Sequence, residues 1–347
     1  MRFESGRDRE RVQAFFQKAI RISATRIPNA VFGFCFVAAI VVNLACHGQD
    51  ASINEAASEG SPVKLGPGDH VQTLMVGEQK RTYLVHVPER YDSKTPTPLV
   101  VALHGAGMNG SMMSWFCDMN KTSDAKGFIV VYPSGTGTGS FLTWNAGGLI
   151  GKLNGGRADD VAFMSKLFDE MSAMANIDQK RIYVCGLSNG GMMSYRLASE
   201  ISDRIAAIAA VAGTMTTDEF EPKRPIPVMH FHGTKDTIVP YGPPYGTMPP
   251  VIKLKGAEET VETCATFNGC DKTPVIDTLS KDTDKTKVTR KTYGGGKNGT
   301  EVILVTIEDG GHTWPGRQLP IGFLGKAARN ISANELIWEF FEKHPLP

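Results

Sequence analysis

Charge of one sign is what this 347-residue chain most plainly lacks: 37 Lys and Arg stand against 36 Asp and Glu, a net charge of +1. A nucleic acid or another strongly acidic partner is therefore not expected, since such partners are met by a basic field. A comfortable membrane span is missing too. The charge-free apolar stretch Ala30 to Ala45 falls short of the roughly 20 residues needed to cross a bilayer. His230 and His232 share one face of a strand, yet no third ligand accompanies them, so neither a metal nor any other cofactor is expected. Cysteine is sparse: of six, Cys35 and Cys46 fall in the first 46 residues and Cys117, Cys185, Cys264 and Cys270 in the body. In an exported protein those four allow three full pairings. Cys264 with Cys270 is the expected pair because they are near neighbours in a polar region, whereas Cys185 reads as a small apolar packing residue.

What is present begins with an address. Seven Lys or Arg precede Pro28, and the apolar stretch follows directly. Residues 1–46 read as a signal peptide or N-terminal membrane anchor, with cleavage near Ala45. Leu44-Ala45-Cys46 also suggests a lipoprotein site, although Asn43 stands where such sites carry an aliphatic residue. Residues 47–69 are small and polar, the composition of a linker. A secreted, extracellular or cell-envelope location follows, with membrane contact only through the N-terminal segment where it is retained or lipidated.

Residues 70–347 read as one catalytic domain, since α/β folds reach about 250 residues around a single core. Short apolar runs predict interior strands at Leu99–Leu103, Phe128–Tyr132, Ile182–Cys185, Ile205–Val211, Val228–Phe231 and Val302–Ile307. From Asp160 to Met174 the apolar residues Val161, Met164, Leu167, Phe168, Met171 and Met174 recur at a helical period, with Asp159 or Asp160 placed to cap. Ser332 to Lys343 opens on a Ser-x-x-Glu capping box at Ser332 and Glu335. Strands alternating with helices imply a mostly parallel sheet covered on both faces. Val71–Val76 and Arg81–Val87, joined around Gly77-Glu78, predict an antiparallel hairpin at its edge.

One segment carries chemistry. Arg181 to Gly191 is a short apolar strand running into Gly-Leu-Ser-Asn-Gly, with Ser188 between Gly186 and Gly190. A serine exposed on so sharp a turn needs glycine on both sides, and the helix starting there favours developing negative charge. A bare helix cap at Ser188 does not explain those glycines. A hydroxyl is a poor nucleophile near neutral pH, so a histidine base and an orienting carboxylate are required. Ile226 to Asp236 is a strand and loop ending in an acid, and Glu301 to His312 a strand and Gly turn ending in a histidine. The chain order Ser, Asp, His is that of α/β-hydrolases. Ser188 is thus read as nucleophile, His312 as general acid/base and Asp236 as its orienter; a base that must start neutral predicts a rate that falls in acid. The oxyanion donors are expected to be the backbone N–H groups of Asn189 and Ala106, the latter in the small-residue loop His104-Gly105-Ala106-Gly107, where Gly105 and Gly107 are nearly as plausible. His104 reads as support for that loop.

From about Gly77 onward the chain resembles the secreted esterases grouped as polyhydroxybutyrate depolymerase-like, feruloyl and acetylxylan esterases. The matching stretches are Leu103-His104-Gly105, Tyr132-Pro133, Trp144-Asn145, Asp159-Asp160-Val161, Gly186 to Gly191, His232 to Asp236 and Gly310 to Gly316. The resemblance implies an α/β-hydrolase fold and ester hydrolysis through an acyl-serine, with a triad at Ser188, Asp236 and His312. Leu142-Thr143-Trp144 lacks the cysteine that many such esterases carry before the Trp-Asn pair, so that disulfide is not carried over. Trp144 and Trp314 are candidate walls of the substrate site, and the stiff loop Tyr241 to Pro250 borders it. The partner is an ester substrate, polysaccharide-linked or a polyester oligomer; no motif chooses among feruloyl, acetyl and hydroxybutyrate esters, and no separate polymer-binding domain is left over. An acyltransferase on the same fold, or a surface binding protein with a decayed site, are the other readings.

Overall fold

The computed structural model describes residues 64–148, 158–217, 219–243, 254–279 and 286–347. The expected leader with Cys35 and Cys46, and the Tyr241–Pro250 loop beyond Pro243, lie outside them. Twelve strands are described: β1 Gly68–Val76, β2 Gln79–Val87, β3 Thr97–Leu103, β4 Ile129–Pro133, β5 Thr136–Thr138, β6 Phe141–Thr143, β7 Ile177–Leu187, β8 Ile208–Val211, β9 Val228–Gly233, β10 Val275–Thr278, β11 Val288–Tyr293 and β12 Val302–Ile307. The described α-helices are α1 Gly110–Cys117, α2 Met119–Lys126, α3 Asp160–Met174, α4 Asn189–Glu200, α5 Ala257–Asn268 and α6 Ala333–Lys343.

Ten strands form one sheet in the order β1-β2-β4-β3-β7-β8-β9-β12-β11-β10. Its middle, from β4 through β3, β7, β8 and β9 to β12, is parallel, and hairpins make both edges antiparallel. A buried parallel strand must be apolar on both faces, and β3 shows why the layering follows. Leu99, Val101 and Leu103 join the core under α3, α4 and α5, while Val100 and Ala102 join the core under α1, α2 and α6. The first hairpin has the expected two-residue turn: Val76 pairs with Gln79 and Gly77 takes φ 58°.

Several expectations are corrected. Residues 64–69 are not linker: Leu65 is buried, its N–H donates to the Met174 carbonyl, and β1 starts at Gly68. β8 begins three residues later than Ile205, because Ser202, Ile205 and Ala206 are tied to the loop before β9, partly through the Arg224 guanidinium. The box at α6 is one-sided. Ser332 Oγ accepts the Glu335 N–H at 3.3 Å, but the Glu335 carboxylate turns to Lys126 of α2 at 3.4 Å. Cys264 and Cys270 are separate thiols. Cys264 faces the core from α5, whereas Cys270, past the helix end, turns its sulfur to the Thr300 carbonyl. Cys185 is buried under the elbow as an apolar residue. Among the described residues no helix is long and apolar enough to cross a membrane.

Candidate active site

Between β7 and α4, Ser188 adopts φ 53° and ψ −119°, a conformation that costs a non-glycine residue about 1–3 kcal/mol and persists only when its surroundings hold it. They do. The Ser188 N–H donates to the Val211 carbonyl of β8 at 2.8 Å. A Cβ on Gly186 would collide with the Gly190 backbone, and one on Gly190 with the carbonyls of Leu103 and His104. A Cβ on Gly213 would strike the Ser188 carbonyl. These glycines let three backbones converge around the serine, leaving it half-buried with the N–H of Asn189 among the unpaired first-turn donors of α4.

The loop after β3 lies against it: a Cβ on Gly105 would stand 3.5 Å from Ser188 Cβ. The Gly107 N–H is committed to the Leu142 carbonyl, which leaves the half-buried Ala106 as the freer donor. His104 is fully buried and holds this loop from beneath. Its Nδ1 donates to the Gly105 carbonyl at 2.8 Å and its Nε2 accepts the Gly135 N–H at 2.9 Å. Both roles demand the neutral ring, and burial, aided by the nearby Arg81 charge, pushes its pKa down to about 4 despite the Gly105 bond.

Asp236 and His312 meet because their loops are zipped together. The Lys235 N–H donates to the Gly310 carbonyl and the Asp309 N–H to Thr234 Oγ1, both at 2.9 Å. Gly233 packs so tightly on Gly310 that no side chain fits there. His312 Nδ1 then lies 2.7 Å from Asp236 Oδ2, while Asp236 Oδ1 accepts the N–H groups of Ile238 and Val239 at 2.8 and 2.9 Å. Burial raises the carboxyl, but the His312 charge and bond, the nearby His232 and the Val239 N–H together hold it below its ordinary value. Asp236 is therefore an ionised, three-bonded anion behind the ring. Ser188 Oγ is not hydrogen-bonded to His312 in this resting arrangement, although both stand at the C-terminal edge of the parallel strands.

Trp144 is not a substrate wall of the expected kind. Trp144 is fully buried, with Nε1 donating to the His104 carbonyl at 2.9 Å and its main chain paired to the Asn189 side chain at 2.7 and 3.2 Å. The indole thus braces the loop behind the serine. Trp314 is 1% exposed and donates from Nε1 to Asn334 at 2.7 Å. It also lines a cavity of about 500 Å³ that opens beside Thr313, with Phe116, Leu319 and Ile321 as further apolar lining and Arg317 and Lys326 as cations. Tyr241, from the loop expected to border the site, packs edge-on to His232 at 5.7 Å.

The sequence hid other contributors. Asp159 is the cap of α3, accepting the Ala162 N–H. Asp160 is fully buried instead, bonded to Arg81 at 2.7 Å and to the Asn145 N–H at 2.7 Å, and so anchors the Trp144-Asn145 strand end; two consecutive acids before a helix were the available signal. His230 and His232 bind each other, 3.0 Å apart.

With this geometry in view, comparison with other proteins places the chain. The α/β hydrolase fold family matches residues 98–260. The candidate esterase NocK of Nocardia uniformis subsp. tsuyamanensis is 29% identical over 82% of this chain and 87% of its own length. Feruloyl esterase B of Piromyces equi is 30% identical over 67% of this chain, which spans only 42% of that enzyme. The solved structure of an acetyl xylan esterase from Aspergillus awamori superposes with a TM-score of 0.55 at 18% identity, covering 79% of this chain and 99% of its own. The chain has the α/β-hydrolase fold. With that fold it is a carboxylic ester hydrolase.

Proposed function

We propose that the protein is an exported serine esterase that cleaves carboxylic esters through an acyl-serine. Ser188 is the nucleophile, His312 the base and then the acid, Asp236 the orienter, and the N–H groups of Asn189 and Ala106 the oxyanion donors. The observation that carries this reading is the 2.7 Å Asp236–His312 contact at the strand edge that also bears the strained Ser188. Substrate binding draws Oγ onto His312 Nε2, since such bonds often tighten only in the loaded enzyme. As Oγ attacks the ester carbonyl, its proton passes to Nε2, Asp236 stabilises the imidazolium, and the oxyanion takes the two N–H groups. The proton then goes to the leaving alcohol, and water repeats the sequence on the acyl group.

The substrate class is a hydroxycinnamoyl or acetyl ester carried on a polysaccharide, in keeping with the ferulate ester named for the Piromyces relative. The 500 Å³ cavity beside Thr313, lined by Trp314, Leu319 and Ile321 together with Arg317, Gln318 and Lys326, has the size such ligands need. Export is the reading of the basic, then apolar, leader. A release assay on methyl ferulate, acetylated xylan, hydroxybutyrate oligomers and a nitrophenyl ester tests it. Ferulate or acetate release abolished by Ser188→Ala is expected; turnover of the oligomers alone overturns the polysaccharide assignment, and an unaffected Ser188→Ala overturns the site.

A further inference from the structure

Behind Asp236 runs a line of buried polar groups that the mechanism above does not use. Tyr195 on α4 and His230 and His232 on β9 are all within 1% of full burial, in positions where β9 otherwise carries Val228, Met229 and Phe231. Tyr195 Oη lies 2.8 Å from His230 Nδ1, His230 Nε2 lies 3.0 Å from His232 Nδ1, and His232 Nε2 lies 2.8 Å from the Val239 carbonyl and 3.6 Å from Asp236 Oδ2. The last partner determines every proton in the line. A carbonyl only accepts, so His232 carries its proton on Nε2 and Nδ1 must accept from His230 Nε2–H. His230 Nδ1 then accepts from the Tyr195 hydroxyl. Three donors point one way, toward the Asp236 turn.

The line ends at a residue that holds the carboxylate. Val239 receives the His232 proton on its carbonyl and gives its own N–H to Asp236 Oδ1 at 2.9 Å. We propose that His232, backed by His230 and Tyr195, is a positioning residue for the esterase reaction: it clamps the Asp236–Val239 turn so that the carboxylate keeps its aim on His312. Any one of three such buried groups left unsatisfied is destabilising, a large risk for mere packing in a strand where an aliphatic residue fills the same volume. The clamp also keeps charge where the chemistry needs it. Burial lowers the His232 pKa, and although Asp236 and the Val239 bond pull it back, the neighbouring His312 lowers it further, so His232 stays neutral beside the carboxylate. Other ionisable neighbours are already occupied: Tyr241 bonds Glu258, which pairs with Lys291, and Lys235 pairs with Asp309 at the exposed rim. On the α4 side Tyr195 is shielded among apolar groups with the neutral thiol of Cys264 nearby.

This inference rests on the triad proposed above, and its test separates the two. His232→Ala, His232→Gln and Tyr195→Phe are compared with the wild type on a nitrophenyl ester, after circular dichroism confirms folding. His232→Ala should lose about tenfold to a hundredfold in kcat with KM nearly unchanged, and the acid limb of kcat/KM should move down by about half a pH unit as Asp236 supports the imidazolium less well. His232→Gln, whose amide N–H reaches the Val239 carbonyl, should restore most of the rate and return the limb. Tyr195→Phe should lose less, in the same direction, and together with His232→Gln it carries the test if His232→Ala does not fold. Wild-type kcat and limb in His232→Ala, or a His232→Gln as slow as His232→Ala with the limb unmoved, overturn the clamp. A Ser188→Ala control that stays active sinks the triad instead.

Discussion

At Ser188 the backbone is strained, with φ 53° at the junction of β7 and α4, the conformation that a sharp strand-to-helix turn imposes on its central residue. Ser188→Ala should reduce kcat by about a millionfold if the three residues act as a unit, with the melting temperature unchanged because the backbone bonds that hold the turn are retained; burst and steady-state kinetics with a melting curve check both halves. Asp236→Asn keeps the shape and loses the charge, and it should cost about 10⁴ in kcat because the amide favours the wrong ring tautomer. Gly190→Ala is a different experiment. Its methyl would enter the carbonyls of Leu103 and His104, so loss of soluble folded protein, not a slow enzyme, is the expected readout.

Secondary elements matter here through what they tie down. The Arg81 guanidinium of β2 reaches Asp160 at the start of α3, with both side chains buried, and stacks 4.0 Å over Phe163. Burial drives the Asp160 carboxyl above its ordinary value even though Arg81, the Asn145 N–H and Arg196 pull it down. Removing one partner leaves an uncompensated buried group, so Arg81→Met should destabilise by about 3–5 kcal/mol in urea unfolding. It should also slacken the Trp144 segment that backs Asn189. At α6 the one-sided cap makes a sharper contrast: Ser332→Ala should cost about 1 kcal/mol and Glu335→Ala much less, because that carboxylate serves only a half-exposed pair with Lys126.

For the molecule as a whole, acid is the weak side. His104, His230 and His232 are buried and neutral, each with a pKa lowered first of all by burial. The unfolded chain binds protons at these sites while the native protein does not, so their stability is fully present above the ordinary histidine value of 6.5 and drains away as pH falls toward the depressed one. For His104, with a folded value of about 4, the loss is on the order of 3 kcal/mol. His86 runs the other way, since Asp69 and Asp124 outweigh its burial and raise its pKa, but it is single and near the surface. The urea midpoint should therefore drop steadily from pH 7 to pH 4.5, and a flat midpoint over that range would contradict neutral burial.

Much of this was legible in the residues. The apolar runs located β3, β4, β7, β9 and β12, and the glycines around Ser188 betrayed the elbow, because local steric demands restrict which side chains fit. Short edge strands such as β10, with Val275 and Ile276 exposed, carry no apolar pattern to read. Trp144 looked like a substrate wall because an aromatic near a site has two uses, and only packing against His104 and Asn189 chose between them. Cys264 and Cys270 looked like a pair because sequence distance says nothing of side-chain direction. By itself the sequence determined the strand-turn-helix around Ser188, since its demands are local and steric. Only the tertiary structure decided that Asp236 meets His312 and that Tyr195, His230 and His232 line up behind them, because hydrogen bonds between residues 35 to 76 apart exist only once the sheet has brought those strand ends and α4 together.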